Sequence, residues 1–113
     1  KIYEKNYGET HPQIALVANN LAFAYAAQKE YDEAFKQLER VKNTLDQMYS
    51  GNHHRKAFNL STIGRIQLEK GDYESALVSQ AQALKMYIAL FGSKHPEVAN
   101  TYYLMGEIYL KTS

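Results

Sequence analysis

Four histidines are the residues of this chain best suited to bind a metal or move a proton: His11, His53, His54 and His95. Imidazole titrates near neutral pH and is the commonest zinc ligand. Their spacing argues against that chemistry. His11, His53 and His95 recur every 42 residues, and residues at one phase of a repeat stand about one structural unit apart, too far to share an ion. The pattern reads as a helix-start residue carried along with its helix. No metal is expected. The chain has no Cys, which removes thiolate nucleophiles, thiolate metal sites and disulfides. It has no Gly-rich phosphate loop, no HExxH and no GxSxG, so neither catalysis nor a cofactor is expected.

Ten Tyr among scattered Lys raise the question of base stacking on single-stranded nucleic acid. Tyr31 and Tyr73, Tyr7 and Tyr49, Tyr3 and Tyr87, and Tyr25 and Tyr109 pair by repeat phase, as packing residues do. Tyr103 stands outside that pattern. Thirteen Lys+Arg against twelve Asp+Glu leave a net charge of +1, which gives no drive toward nucleic acid or an anionic membrane. No apolar run is long enough for a membrane span. Neither partner is expected. The lack of Cys fits a reducing compartment, and the cytoplasm is the expected location.

The elements that carry these residues are set by the repeat. HPQIALVANNLA, from His11 to Ala22, returns reworked as HPEVANTYYLMG, from His95 to Gly106. A middle copy holds His53, Ala57, Ile63 and Gly64 at the matching places, and no gap is needed. The matched positions are small and apolar, as expected when packing sites are shared and surfaces diverge. A period of 20 to 50 residues means a solenoid or array. Each unit reads as two helices. In the first, Ile14, Ala18, Leu21, Ala22 and Tyr25 form an amphipathic stripe, and Pro12 and Pro96 sit at helix starts, where a missing N–H costs nothing. Gln28-Lys29-Glu30 and Lys70-Gly71-Asp72 make the turn, with Asp72 as the expected cap of the second helix. In that second helix the apolar positions are Tyr31, Ala34, Phe35, Leu38, Val41 and Leu45, then Tyr73, Ala76, Leu77, Ala83, Leu84 and Tyr87. Helices are expected near 1–7, 12–28, 31–49, 54–70, 73–91 and 96–111, with no strands. The fold class is all-α: an α-α superhelix, a solenoid of antiparallel helix pairs. Repeat 1 occupies 11–52, repeat 2 occupies 53–94, and 95–113 is the first helix of repeat 3. Residues 1–10 read as the end of a preceding repeat, so the chain is expected to be a piece of a longer array. Its uncapped ends would leave Tyr102, Met105 and Tyr109 without apolar cover and favour homo-oligomers.

Ala18, Leu21, Ala22, Tyr25, Ala34 and Leu38 resemble the tetratricopeptide repeat pattern of large-x₂-Leu-small-x₂-Tyr followed by Ala-x₃-aromatic. Leu60, Ile63, Gly64 and Ala76 give a second copy; Tyr102, Met105, Gly106 and Tyr109 begin a third. The usual period is 34, and the 42-residue unit, opening on Thr10-His11-Pro12-Gln13-Ile14-Ala15 and His95-Pro96-Glu97-Val98-Ala99, looks like the kinesin-light-chain type. Gln67 and Gln80 depart from the pattern by standing at apolar places. There the middle repeat is expected to be looser, or to turn polar groups toward a partner. The resemblance implies a concave groove lined by the first helices: Leu16, Asn19, Asn20, Phe23 and Ala27, then Phe58, Ser61, Thr62, Arg65 and Glu69, then Asn100, Tyr103 and Glu107. It implies a protein or peptide partner, with Asn20 and Arg65 as leading contacts. The two lysines and the arginine of the family's carboxylate-clamp subtype are absent, since those positions read Asn19, Phe23, Thr62, Asn100 and Leu104. Two other readings stay open: a regulatory or sensor segment of a larger signalling protein, and structural self-assembly through the ends.

Overall fold

The structure, a computed structural model, describes residues 12–112, with side chains from Val17 onward. The helix expected at 1–7 lies outside the described residues. The described chain forms α1 Pro12–Ala27, α2 Tyr31–Met48, α3 His54–Lys70, α4 Tyr73–Phe91 and α5 Pro96–Thr112. There is no strand among the described residues. The chain divides into two compact units between Ser50 and Gly51. The first contains the pair α1 and α2, the second α3, α4 and α5.

In the first unit, Ala34, Leu38, Val41 and Leu45 recur at steps of four and three and are buried along α2. Val41 and Leu45 cluster with Ala18 of α1, where Ala22 and Ala26 are buried too. Small residues on one side let the two helices approach closely. Burying Leu38, Val41 and Leu45 stabilises the pair by roughly 1.5–3 kcal/mol each. The outward face of α2 carries Asp32, Lys36, Glu39 and Arg40, all exposed. Its Lys36–Glu33 and Lys42–Asp46 ion pairs are exposed too, so they add little. In the second unit, Ala57, Ala83, Tyr87 and Val98 from three helices form one cluster, with Leu60, Leu84, Met86 and Ile88 against it. The middle helix α4 packs on both α3 and α5, and α3 and α5 also touch.

The turns match by phase but use different residues. Gly71 ends α3 in the left-handed region at φ 95°. Its N–H donates to the carbonyls of Gln67 and Leu68, and that of Asp72 donates to Gln67. These bonds satisfy the orphan carbonyls of the last turn. Lys29, at the same phase, adopts φ 64°, a conformation that strains any residue with a Cβ. Asp72 occupies the cap position of α4 but makes no side-chain cap hydrogen bond, so the capping expected of it is absent.

The polar residues of the middle repeat face inward. Gln80 is fully buried. Its Nε2 donates to the Ser61 carbonyl at 2.9 Å, and its Oε1 accepts from Ser61 Oγ at 3.0 Å. Ser79 Oγ donates to Gln67 Oε1 at 2.7 Å. The helices are stitched together here rather than loosened, because each of these polar groups has a partner across the pair. Gly64 makes room for the match: a Cβ there would lie 2.8 Å from Gln80 Nε2 and 3.2 Å from the Ala76 carbonyl oxygen.

A candidate partner-binding surface

The histidine phase has a structural use. His53 Nδ1 accepts the backbone N–H of Arg55 at 3.1 Å, and His95 Nδ1 accepts that of Glu97 at 3.1 Å. Each imidazole caps the helix it precedes, so the ring must keep Nδ1 unprotonated. The His53 pKa is lowered by burial, then by the neighbouring His54, Arg55 and Lys56. His53 also stacks on His54 with centroids 4.5 Å apart, and His95 stacks on Phe91 at 4.2 Å. Among the described residues, no three His, Asp or Glu side chains converge where they could hold a metal. His11 lies outside the described residues. Tyr87 is also perturbed, its pKa pushed up to about 12 by burial and then by the Glu97 charge.

The residues expected to line a groove divide by burial. On α3, Phe58, Arg65 and Glu69 are exposed on one stripe at steps of seven and four. On α5, Asn100 is exposed and Glu107 half-buried on the stripe of the same repeat phase. Lys111 extends it, exposed, and sequence reasoning missed it. The signal was available: Lys111 lies one repeat after Glu69. The second unit thus shows two neighbouring helices with Phe58, Arg65 and Glu69 on one and Asn100, Glu107 and Lys111 on the other. Charges of both signs, an aromatic ring and an amide share this face, which suits hydrogen bonding and ion pairing to a polypeptide.

Three groove candidates are instead buried. Asn19 and Ser61 share a phase, and Ser61 is held by Gln80. That phase looks toward the paired helix. Asn19 is buried in the first unit, and its Oδ1 has no hydrogen-bond partner. Thr62 is also buried, its hydroxyl donating to the Phe58 carbonyl at 2.9 Å. Tyr103, at the Ser61 phase, is 66% exposed and belongs to a different arc of α5 from Asn100 and Glu107. In the first unit Asn20 and Ala27 are exposed and Phe23 half-buried. The Leu16 side chain lies outside those described. Tyrosine packing is likewise incomplete. Tyr87 is buried and Tyr25, Tyr31, Tyr49 and Tyr73 are half-buried, but Tyr102 and Tyr109 are more than half exposed.

Comparison with known proteins places these features in a family. A family model described as tetratricopeptide repeat matches residues 13–89 and again residues 60–113. Several relatives carry the name clustered mitochondria protein homolog. The Caenorhabditis elegans protein is 26% identical over 92 residues, covering 81% of this chain and 7% of its own length. The Xenopus tropicalis protein is 30% identical over 90 residues, covering 79% and 7%. The human protein is 25% identical over 89 residues, with the same coverage. The chain therefore spans less than a tenth of the length of these relatives. No helix among the described residues is long and apolar enough to cross a membrane.

Proposed function

The chain belongs to the tetratricopeptide repeat family, and from that premise we propose that it is a protein-interaction module that holds a partner peptide or helix against the first helices of its repeats. The observation that carries this reading is the paired display in the second unit. Phe58, Arg65 and Glu69 on α3 and Asn100 and Glu107 on α5 are exposed or half-exposed on matching stripes, while the buried faces of both helices pack on α4. Arg65 supplies a planar fork for a carboxylate or a backbone carbonyl. Phe58 supplies an apolar seat, and Asn100 pairs with peptide backbone. Asn20 and Phe23 offer the equivalent groups on the first unit. The relatives' printed name refers to clustered mitochondria, which favours a partner connected with mitochondria; the cytoplasm is the compartment this reading proposes.

The test compares two baits in a pull-down from host lysate: wild type, and a Phe58→Ala/Arg65→Glu variant of equal helicity by circular dichroism. Retained proteins are identified and their contact segments mapped by cross-linking. The reading expects wild-type partners to be lost from the variant and to cross-link near residues 58–69 and 100–111. Retention of the same proteins by both baits defeats it.

A further inference from the structure

The buried residues of α4, Ala76, Ser79, Gln80, Ala83 and Tyr87, cover one arc of a helix on which both α3 and α5 pack. The arc opposite is exposed at Glu74, Val78, Ala81, Lys85 and Ala89. At 100° per residue these five fall within about 80°. Glu74, Val78, Ala81 and Lys85 follow one another at steps of four, three and four, the spacing of a seam between two helices. Val78 is 57% exposed. Neither Glu74 nor Lys85 has an ion-pair partner among the described residues.

The preceding repeat shows how this phase is ordinarily used. The matching residues of α2 are Asp32, Lys36, Glu39 and Asn43, all exposed, with a complete repeat after them in the chain. The repeat itself leaves this phase to solvent. On α2 it is polar throughout, and Lys36 is engaged with Glu33. On α4 the two central places are instead Val78 and Ala81, with an acid at one end and a base at the other.

We propose that this arc of α4 is the interface of a homodimer, in which α4 of a second copy of the chain lies antiparallel to it. The order of the residues selects that occupant. A two-fold axis at the level of residues 79 and 80 sets Val78 of each copy against Ala81 of the other. The same axis, with no further adjustment, sets Glu74 of each copy against Lys85 of the other. The seam then has an apolar centre and a symmetric ion pair at each end, so every group on it meets its complement. A parallel pair would place Glu74 against Glu74 and Lys85 against Lys85. The seam spans only about 16 Å of helix. The dimer is therefore weak, and its charges fix the geometry more than they add strength. None of these residues belongs to the surface proposed above, so the two readings stand or fall separately.

Sedimentation equilibrium of the 113-residue chain at low salt measures the dimer, and charge reversals test its geometry. Circular dichroism checks that every variant is as helical as wild type. The proposal expects a monomer–dimer equilibrium with Kd below about 500 μM. Glu74→Lys and Lys85→Glu should each weaken it by about fivefold or more, because two attractions per dimer become two repulsions. An equimolar mixture of the two variants should recover association as mixed dimers, and the double variant Glu74→Lys/Lys85→Glu should recover it alone. Phe58→Ala/Arg65→Glu and Gly106→Leu should leave it unchanged. A chain that stays monomeric at about 1 mM overturns the proposal, as do dimers indifferent to both single reversals. Reversals that weaken the dimer but are not rescued by mixing overturn it too, because the antiparallel pairing is then wrong. Dimers that vanish in Gly106→Leu also overturn it, because the contact then runs through α5.

Discussion

At the scale of single residues, the His53 cap couples this fold to pH. The cap at His53 requires an unprotonated Nδ1, and its surroundings lower the pKa of the ring below the ordinary value. The folded state therefore binds this proton more weakly than the unfolded chain does. The stabilisation is present above the unfolded pKa of about 6.5 and is lost as pH falls through the lower folded value. His53→Ala should destabilise the second unit by about 0.5–2 kcal/mol at pH 7.5, the usual range for a lost cap. His53→Asn keeps an acceptor that does not titrate, so its melting temperature should fall less between pH 7.5 and pH 5 than that of wild type. Equal pH slopes in the two proteins would show that the cap contributes nothing. The sequence revealed that the histidines belonged to helix starts through their 42-residue spacing. Their role as acceptors was hidden, because capping depends on a rotamer and a tautomer that spacing does not encode.

At the scale of helices, small differences at matched positions have opposite consequences. Gly64 and Gly106 share a phase and differ in what covers them. Gly64→Ala should cost about 1–3 kcal/mol, since the methyl group must displace Gln80 and press on a backbone carbonyl. Gly106→Ala meets open space and removes a flexible residue from a helix, so it should stabilise by up to about 1 kcal/mol. Urea melts of both variants check the pair, and a shift of the same sign in each contradicts the packing described. Lys29→Gly should likewise stabilise the first unit, by about 1 kcal/mol or less, because Lys29 holds the left-handed conformation that Gly71 adopts freely in the next turn. A lower midpoint for Lys29→Gly would contradict this.

The helices themselves were legible. Leu38, Val41 and Leu45 at steps of three and four marked the buried side of α2, and Pro12, Pro96 and Gly71 marked boundaries. The surface was less so. Asn19, Ser61 and Thr62 were expected in the groove because the family resemblance places those repeat positions there. Ser61 and Gln80 hide each other's polarity by hydrogen bonding across the pair, and a pattern of apolar residues cannot register such a match.

At the scale of the molecule, the second unit is arranged around one helix. α4 is packed on both sides, by α3 and by α5, while α5 leaves an apolar arc open at Tyr102, Tyr109 and Leu110. Local opening takes the path with the least buried surface. Within residues 51–113, backbone amides of α4 should exchange slowest with deuterated solvent and those of the last two turns of α5 fastest among the helices. If the end of α5 proves as protected as the middle of α4, the arc is covered in solution. Contacts between neighbouring helices dominate, which favours fast folding of such arrays.

The Ser61–Gln80 pair also constrains how this repeat can change over time. Replacing Gln80 with Leu, the residue of the first repeat at that phase, leaves Ser61 facing an apolar neighbour. Replacing Ser61 alone with Ala strands the Gln80 Oε1, which accepts from the Ser61 hydroxyl. Each single step passes through a less stable protein, while the double change restores a matched interior. In a double-mutant cycle the two substitutions should couple by about 0.5–3 kcal/mol, and additive effects would dissolve the link. Descendants of this sequence are therefore expected to keep both residues or to have lost both, with few lineages caught between.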